Sequence, residues 1–264
     1  MLNHLAQRAS DLLWNCWNSG QRLADGLPPD IRPQTREEGY AIQALLEHRS
    51  SVPIFGWKIA ATSQAGQLHI RVDRPIAGRI LAERVFESGA EVPFGCNSMH
   101  VAEPEFAFRM ARDLVVRDRP YTVDEVLQAV GSLHPAIEIP DSRYQDFATV
   151  GAAQLIADDA CAHYFVLGPA APNSWRSLDL VAHKVTVAVP GKREHGGSGA
   201  AVLGDPRIAL TWLANELSAI ATPIKAGQVV STGTCAAPMS VSAGDLVVAD
   251  MGILGKASVR FGIN

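Results

Sequence analysis

The sequence lacks the long apolar runs and targeting signals that would place it in or across a membrane. It has no continuous apolar stretch of about eighteen residues, the length that a membrane-spanning helix needs. Its first residues, MLNHLAQRASDLL, have no basic segment followed by an apolar core, so they do not resemble a signal peptide. Hydrophobic residues make up 47% and charged residues only 19%, a balance typical of a folded domain with a sizeable core. We therefore expect a cytoplasmic protein without a membrane partner.

The sequence also has few cysteines and no excess of positive charge, and each of these features argues against a class of protein. The four cysteines, at positions 16, 96, 161 and 235, show no paired spacing. This argues against a zinc site and a disulfide framework and suits a reducing compartment. The net charge is −4 and the pI is near 6.1, so the basic face that nucleic acid requires is not expected.

Nucleotide-binding and nucleophile motifs are absent as well. The glycine-rich segment 196–204 lacks the Lys-Ser/Thr ending of a P-loop and the spacing of a dinucleotide fingerprint, so we interpret it as a hairpin and loop. No G-x-S-x-G elbow and no recognisable Cys-His pair indicates nucleophilic catalysis. His100 and His134 do not have the spacing of a zinc protease, and a structural role is the simpler interpretation of each.

The elements predicted along the chain indicate an α+β protein. Apolar spacing predicts a helix over residues 2–24, and Thr35 with Glu38 three residues later forms a capping box that predicts a second helix. Short β-type runs without regular βαβ alternation follow. We expect a helical N-terminal portion over residues 1–50 and a β-rich catalytic domain over residues 51–264, joined as one integrated unit.

The segment MHVAEPEFAFRM holds two carboxylates, Glu103 and Glu105, two residues apart in an apolar run. In a strand both project to one face, where like charges are unfavourable unless something neutralises them. A divalent cation such as Mg²⁺ or Mn²⁺ is the simplest candidate, because it prefers oxygen ligands. A strand with one solvated face is the alternative, and the pair alone favours it. Pro104 cannot donate to a neighbouring strand, which predicts an edge or bulged position.

Two further ionisable side chains lie in apolar strands. Glu138, in the short run AIEI, supplies a third carboxylate, which is the right number of charges for one divalent ion. Alone, Glu138 would be a surface strand residue; with the first pair, the metal site and that alternative become equally good interpretations. Lys58, in GWKIA, either extends to the surface or meets an anion.

Several segments, taken in order, carry a family resemblance. They are GWKIAATS, DRPIAGRIL, EPEFAF, PAIEIPDSRY, IADDA, GSGAAVLGDP, and STGT followed by AGD. In this order they resemble the segments of 2-keto-4-pentenoate hydratases, which belong to the fumarylacetoacetate hydrolase superfamily with the related 4-oxalocrotonate decarboxylases. The resemblance runs from about residue 40 to the end of the chain. It implies a mixed β-sandwich-like roll with a helical N-terminal portion, and assembly into a homo-oligomer.

The resemblance also implies roles for individual residues. Its metal ligands, for Mg²⁺ or Mn²⁺, would be Glu103, Glu105 and Glu138, and its catalytic residues would be Lys58 and Asp73. The candidates for substrate binding are Arg143, Asp158, Cys161 and Thr232. Two segments depart from the family pattern: residues 157–161 read ADDAC where many relatives read ADNAS, and the segment after Thr232 reads GTCAAPM.

The implied function is that of a metal-dependent lyase in the meta-cleavage catabolism of aromatic compounds. It would add water to a 2-hydroxy-2,4-dienoate, or its 2-keto tautomer, to give a 4-hydroxy-2-oxo acid. Lys58 would pair with the substrate carboxylate or donate a proton, and Asp73 would serve tautomerisation. The alternatives are decarboxylation of a 4-oxalocrotonate-type 2-oxo-3-enedioate, hydrolysis of an acylpyruvate, and a non-catalytic oligomeric binding protein.

Overall fold

The computed structural model describes residues 3–263, in which six α-helices and thirteen strands alternate with short 3-10 turns. The helices are α1 (Asn3–Ser19), α2 (Arg36–Ala44), α3 (Gln64–His69), α4 (Val123–Ala129), α5 (Ala152–Ala157) and α6 (Pro206–Ala219). The first strands are β1 (Gly56–Ala60), β2 (Ile76–Ile80), β3 (Val85–Glu87), β4 (Glu91–Val92), β5 (Val101–Met110), β6 (Val130–Ile139) and β7 (Tyr164–Leu167). The remaining strands are β8 (Lys184–Val189), β9 (Arg193–Ser198), β10 (Val229–Thr234), β11 (Met239–Ser240), β12 (Leu246–Asp250) and β13 (Lys256–Phe261).

The strands form two mixed sheets that pack against each other. The larger has the order β2-β1-β10-β5-β6-β7-β3, with β11 paired to β5, and the smaller has the order β4-β13-β12-β8-β9. Most neighbours are antiparallel, whereas β1 with β10, β3 with β7 and β4 with β13 are parallel. A shared apolar core joins Ile137 and Val166 of the larger sheet to Val247 and Val259 of the smaller. The predicted α+β class with a mixed β-sandwich roll is thereby confirmed.

Helix starts coincide with capping signals in the sequence. Thr35 accepts a hydrogen bond from the Glu38 amide at the start of α2, and Thr122 with Glu125 forms a complete capping box at α4. Each device satisfies backbone N–H groups that have no partner within the first turn of a helix. Local chemistry therefore fixes these helix starts without help from the rest of the fold.

The N-terminal helices pack on the β-rich part of the chain. Leu13 of α1 and Ile42 of α2 share an apolar cluster with Tyr144 and with Ala157 of α5. The first helix ends at Ser19, earlier than the predicted end near residue 24. Residues 1 and 2 of the predicted helical portion and residue 264 of the predicted catalytic domain lie outside the described residues. Within 3–263, no helix is both long and apolar enough to cross a membrane.

Pro104 lies in the middle of the larger sheet, so the predicted edge position is wrong. Strand β5 has β10 on one side and β6 on the other, and Pro104 pairs with Ile137 of β6. Its carbonyl accepts from the Cys235 amide at 2.9 Å, on the β10 side. The ladder is irregular there, because Thr232 and Gly233 both lie opposite Phe106. The missing N–H of proline therefore falls beside a bulge in the neighbouring strand.

Candidate active site

Three carboxylates converge on neighbouring strands of the larger sheet. Glu103 and Glu105 lie two residues apart on β5, and Glu138 lies on β6 directly opposite Glu103. Because side chains alternate along a strand, the two β5 carboxylates share a face. One oxygen from each of the three residues lies within 4.8 Å of the others. The geometry expected from the E-x-E spacing and the AIEI run is present.

Burial makes this concentration of negative charge costly. Glu105 is fully buried and Glu138 is 3% exposed. Burial, together with the nearby Glu138 carboxylate, raises the pKa of Glu103 to about 7 and the pKa of Glu105 well above its usual value. Glu105 Oε1 and Glu138 Oε2 are buried without a hydrogen-bond partner among residues 3–263. A bound cation would satisfy both oxygens and relieve the repulsion.

Strand β10 fixes the orientation of Glu105. The Ser231 hydroxyl and the Gly233 amide donate to Glu105 Oε2 at 2.5 Å and 2.9 Å, which leaves Oε1 free. The bulge on β10 makes the second contact possible. Gly233 has φ +96°, and a Cβ at this position would lie 2.3 Å from Thr62 Oγ1, so the site requires glycine.

Lys58 is a buried positive charge beside the carboxylates. Its side chain lies on β1, with Nζ 2.8 Å from Glu138 Oε1 and donating to the Ala160 carbonyl at 2.8 Å. Burial lowers the pKa of Lys58, but the glutamates, led by Glu138, outweigh burial and hold the pKa above its usual value. The ammonium is therefore charged at neutral pH. Since an ammonium has three N–H groups and two are used here, one remains for a ligand.

The Ala160 carbonyl is directed at Lys58 by a strained turn after α5. Asp159, Ala160 and Cys161 have φ of +55°, +52° and +61°, a left-handed conformation that non-glycine residues rarely take in succession. Asp159 is fully buried; its Oδ1 accepts from the Arg79 amide at 2.6 Å, whereas its Oδ2 is unpaired among the described residues. Burial raises the pKa of Asp159 to about 7. Strain of this kind is concentrated at functional sites.

A cleft of about 800 Å³ opens beside Lys58 and Glu103. Its walls are formed by α3 and the loop before it, the start of β5, the turn at 160–161, and the segments 196–198 and 234–238. The Cys161 side chain contributes to this wall. Burial raises the pKa of its thiol to about 12, so Cys161 presents a neutral surface. The cleft gives a ligand direct access to the charged cluster.

Asp73 and Thr232, both predicted to act in the site, lie outside the lining of this cleft. The Asp73 carboxylate is on the surface, 71% exposed, at 3.4 Å from Arg36 and 3.5 Å from Arg74. Thr232 is fully buried, and its hydroxyl donates to the Phe106 carbonyl at 2.9 Å. No contact in the described chain supports a catalytic role for Asp73 or substrate binding by Thr232.

Arg143 and Asp158 are also absent from the cleft lining, because they pair with each other in the interior. The Arg143 guanidinium contacts the Asp158 carboxylate and donates to the Asp141 and Ala162 carbonyls, while Ser142 Oγ donates to Asp158 at 2.7 Å. All these groups are buried. The pair braces the loop between β6 and α5, and this placement gives no support to the predicted substrate contacts.

Three residues of the site were not singled out by sequence reasoning. Ser231 and Gly233 orient Glu105, and Asp159 begins the turn that meets Lys58. The STGT run signals a polar side chain at this point of the sheet, but the resemblance implies Thr232, whose side chain lies on the opposite face of β10 from that of Ser231. Asp159 lies in the segment that departs from the family pattern. Its burial and left-handed backbone have no signal in a single sequence.

The three glutamates fit a hard divalent cation. They supply only oxygen ligands, two of their buried oxygens lack partners, and Lys58 neutralises only part of their charge. Since the thiols of Cys161 and Cys235 do not belong to this cluster of metal-ligating side chains, the donor set does not favour zinc or copper. The site can hold a metal ion.

Comparisons with known proteins identify relatives of this chain. A family model described as fumarylacetoacetate (FAA) hydrolase C-terminal matches residues 77–261. The 2-keto-4-pentenoate hydratase of Burkholderia vietnamiensis is 33% identical over 84% of this chain and 84% of its own. The 2-keto-4-pentenoate hydratase of Paraburkholderia xenovorans is 31% identical over 98% of this chain and 95% of its own. A solved 4-oxalocrotonate decarboxylase from Pseudomonas putida G7, complexed with magnesium and adipate, has a TM-score of 0.89 and 25% identity, over 99% of this chain and 98% of its own.

Proposed function

The chain belongs to the fumarylacetoacetate hydrolase family, and from this premise we propose that it is a metal-dependent hydratase of 2-hydroxy-2,4-dienoates. It would convert a 2-keto-4-pentenoate-type substrate and one water into a 4-hydroxy-2-oxo acid during aromatic meta-cleavage catabolism. The observation that carries the proposal is the cluster of Glu103, Glu105 and Glu138, with Lys58 beside it at the head of an open cleft. The relatives named as hydratases support the reaction type.

Glu103, Glu105 and Glu138 would hold Mg²⁺ or Mn²⁺. When bound, such an ion supplies Lewis-acid stabilisation of negative charge on the 2-oxo oxygen, which is worth several kcal/mol at a transition state. The solved relative complexed with magnesium supports an ion of this class. Ser231 and Gly233 would keep Glu105 aligned for it.

Lys58 would bind the substrate carboxylate and can donate a proton to the carbon chain. Its positive charge suits anion binding, and its remaining N–H group is close to the cleft, which Lys58 lines. The Ala160 carbonyl and Glu138 fix the position of Nζ, so the ammonium need not be ordered when substrate arrives. We assign no proton transfer to Asp73, because its carboxylate is exposed and lies outside the cleft lining.

The test is an assay of Mg²⁺-loaded protein with 2-hydroxypenta-2,4-dienoate. We expect loss of dienol absorbance with formation of 4-hydroxy-2-oxopentanoate and no release of CO₂. Activity that persists unchanged after chelation of divalent ions would contradict the proposal. We expect the enzyme to work in the cytoplasm. We also expect it to be a homo-oligomer, and a measurement of its size in solution checks this.

Decarboxylation is the second candidate, favoured by the likeness to the solved decarboxylase. The same metal site could support decarboxylation, since both reactions develop negative charge on a 2-oxo acid, which a bound ion would stabilise. A 2-oxo-3-enedioate would, however, need a partner for its second carboxylate. CO₂ release from 4-oxalocrotonate, faster than hydration of the dienoate, would establish the decarboxylase instead.

A further inference from the structure

We propose that the substrate carries a bulky, uncharged apolar substituent at the end remote from its 2-oxo acid group. This inference rests on the proposed function for the position of the 2-oxo acid at Lys58 and the carboxylate cluster. It then uses the size, the surface and the charge of the cleft to define the rest of the molecule. Each of these three properties points to the same class of substituent.

The first property is size. The cleft measures about 800 Å³, within the range of about 300–1,000 Å³ that holds drug-sized ligands. A five-carbon dienoate is much smaller than such a ligand and would leave most of this space to water. A substrate with a longer chain or a ring at its remote end would displace that water and bury the apolar wall.

The second property is the surface that leads away from the charged cluster. Val101 lies two residues before Glu103 on β5, and both side chains contribute to the cleft. The wall continues with Met99, Ile70 and Phe147. These are partly buried side chains with no polar group to offer a ligand. A chain that starts at Lys58 and Glu103 therefore runs onto apolar surface within a few carbon atoms.

The third property is charge. Among residues 3–263, Lys58 is the only lysine or arginine that lines this cleft, and its role is at the 2-oxo acid end. His69 also lines the cleft, with its ring edge-on to Phe147. The Thr234 hydroxyl donates to the Ala236 carbonyl, and Ser63 Oγ accepts from the Gly66 amide. A remote carboxylate would lose its hydration here with no second lysine or arginine to replace it, which disfavours dicarboxylic substrates.

The inference is tested by calorimetric titration of the Mg²⁺-loaded protein with unreactive saturated acids. We compare 2-oxopentanoate, 2-oxooctanoate and 2-oxooctanedioate. We expect 2-oxooctanoate to bind at least about tenfold more tightly than 2-oxopentanoate, since each buried methylene contributes about fourfold. The dioate should bind no more tightly than 2-oxopentanoate. Equal binding of the two monoacids, or tighter binding of the dioate, would overturn the inference.

A pair of variants tests the charge argument separately. Ala237 is exposed on the wall formed by segment 234–238, so its replacement does not disturb the core. Ala237→Arg should improve binding of 2-oxooctanedioate relative to 2-oxooctanoate by about fivefold through a new ion pair, an effect at the upper end of the range for an exposed pair. Ala237→Met, similar in length and uncharged, should leave this ratio unchanged. The same ratio in both variants would contradict the argument that a remote carboxylate binds weakly because this wall has no lysine or arginine.

These titrations separate the inference from the proposed function. If 2-hydroxypenta-2,4-dienoate is hydrated but longer acids bind no better, the apolar substituent is refuted and the hydratase stands. If 2-oxooctanoate binds better but no dienoate is hydrated, the binding preference stands and the hydratase is refuted.

Discussion

Glu103 and Glu138 lie directly opposite each other on neighbouring antiparallel strands of the larger sheet. Like charges in this cross-strand position destabilise a sheet, and here they are joined by the still more deeply buried Glu105. Lys58 lies at one side of the cluster, where its Nζ forms an ion pair with Glu138. Two buried oxygens remain without partners among residues 3–263, and a bound cation would satisfy both.

Ser231→Ala should weaken metal binding without altering the ligand set. The Ser231 hydroxyl donates to Glu105 Oε2 at 2.5 Å and so orients the carboxylate. Loss of such an outer contact lowers metal affinity by about 10–100-fold. Titration of Mn²⁺ into the chelator-treated variant measures the effect. Thr232→Val is the matched control, because the Thr232 hydroxyl donates to the Phe106 carbonyl; equal affinities for the two variants would refute the role of Ser231.

Lys58→Met should destabilise the metal-free protein far more than the metal-loaded protein. Removing one partner of a buried ion pair costs about 3–5 kcal/mol, and here it leaves Glu138 without its counter-charge. Thermal unfolding with and without Mg²⁺ reports the difference. Lys225→Met is the control, since Lys225 pairs with Asp113 at the exposed surface and its loss should cost no more than about 1 kcal/mol. A Lys58 variant as stable as this control would show that the buried pair is unimportant.

Asp159→Asn should stabilise the protein more at pH 8 than at pH 5. The pKa of Asp159 is raised from 3.8 to about 7 by burial, so the folded state binds its proton more tightly than the unfolded state does. Its contribution to stability is therefore greatest below pH 4 and is lost as pH rises towards 7. An amide does not ionise, so the variant should lack this loss. Unfolding midpoints at both pH values measure it.

Asp158→Asn is the neighbouring control for this experiment. Asp158 pairs with the buried Arg143, so its replacement removes a counter-charge instead of relieving an unpaired one. We expect a loss of about 3–5 kcal/mol at pH 8. If Asp159→Asn were as destabilising as this control at pH 8, Asp159 would be an ionised, well-paired group, contrary to our account.

The sequence predicted the parts of the fold that depend on neighbouring residues. The caps at Thr35 and Thr122 act within one helical turn, and the alternation of Glu103 and Glu105 needs only an extended strand. Pro104 was misplaced because its tolerance depends on a bulge in β10, a strand more than a hundred residues away. Pairing between distant strands leaves little trace in a single sequence.

The candidate site was predictable only in part for the same reason. The three glutamates and Lys58 stand in apolar strands, where an ionisable residue is conspicuous. Arg143 and Asp158 were suggested only by the family resemblance, and they neutralise each other in the interior, which only the tertiary structure reveals. The support from Ser231 depends on which face of β10 meets β5. Which charges are paired and which are free for a ligand is a property of packing.

The most direct test of the metal site is calorimetric titration of Mg²⁺ and Mn²⁺ into chelator-treated protein, comparing the wild type with Glu105→Gln. Glutamine has the same shape as glutamate and can still accept hydrogen bonds from Ser231 and Gly233, but it carries no negative charge. We predict one ion bound per chain in the wild type, and in the variant a loss of affinity of more than about 100-fold, in line with several kcal/mol of charge interaction. Wild-type protein that binds neither ion, or a variant that binds them equally well, would contradict the account.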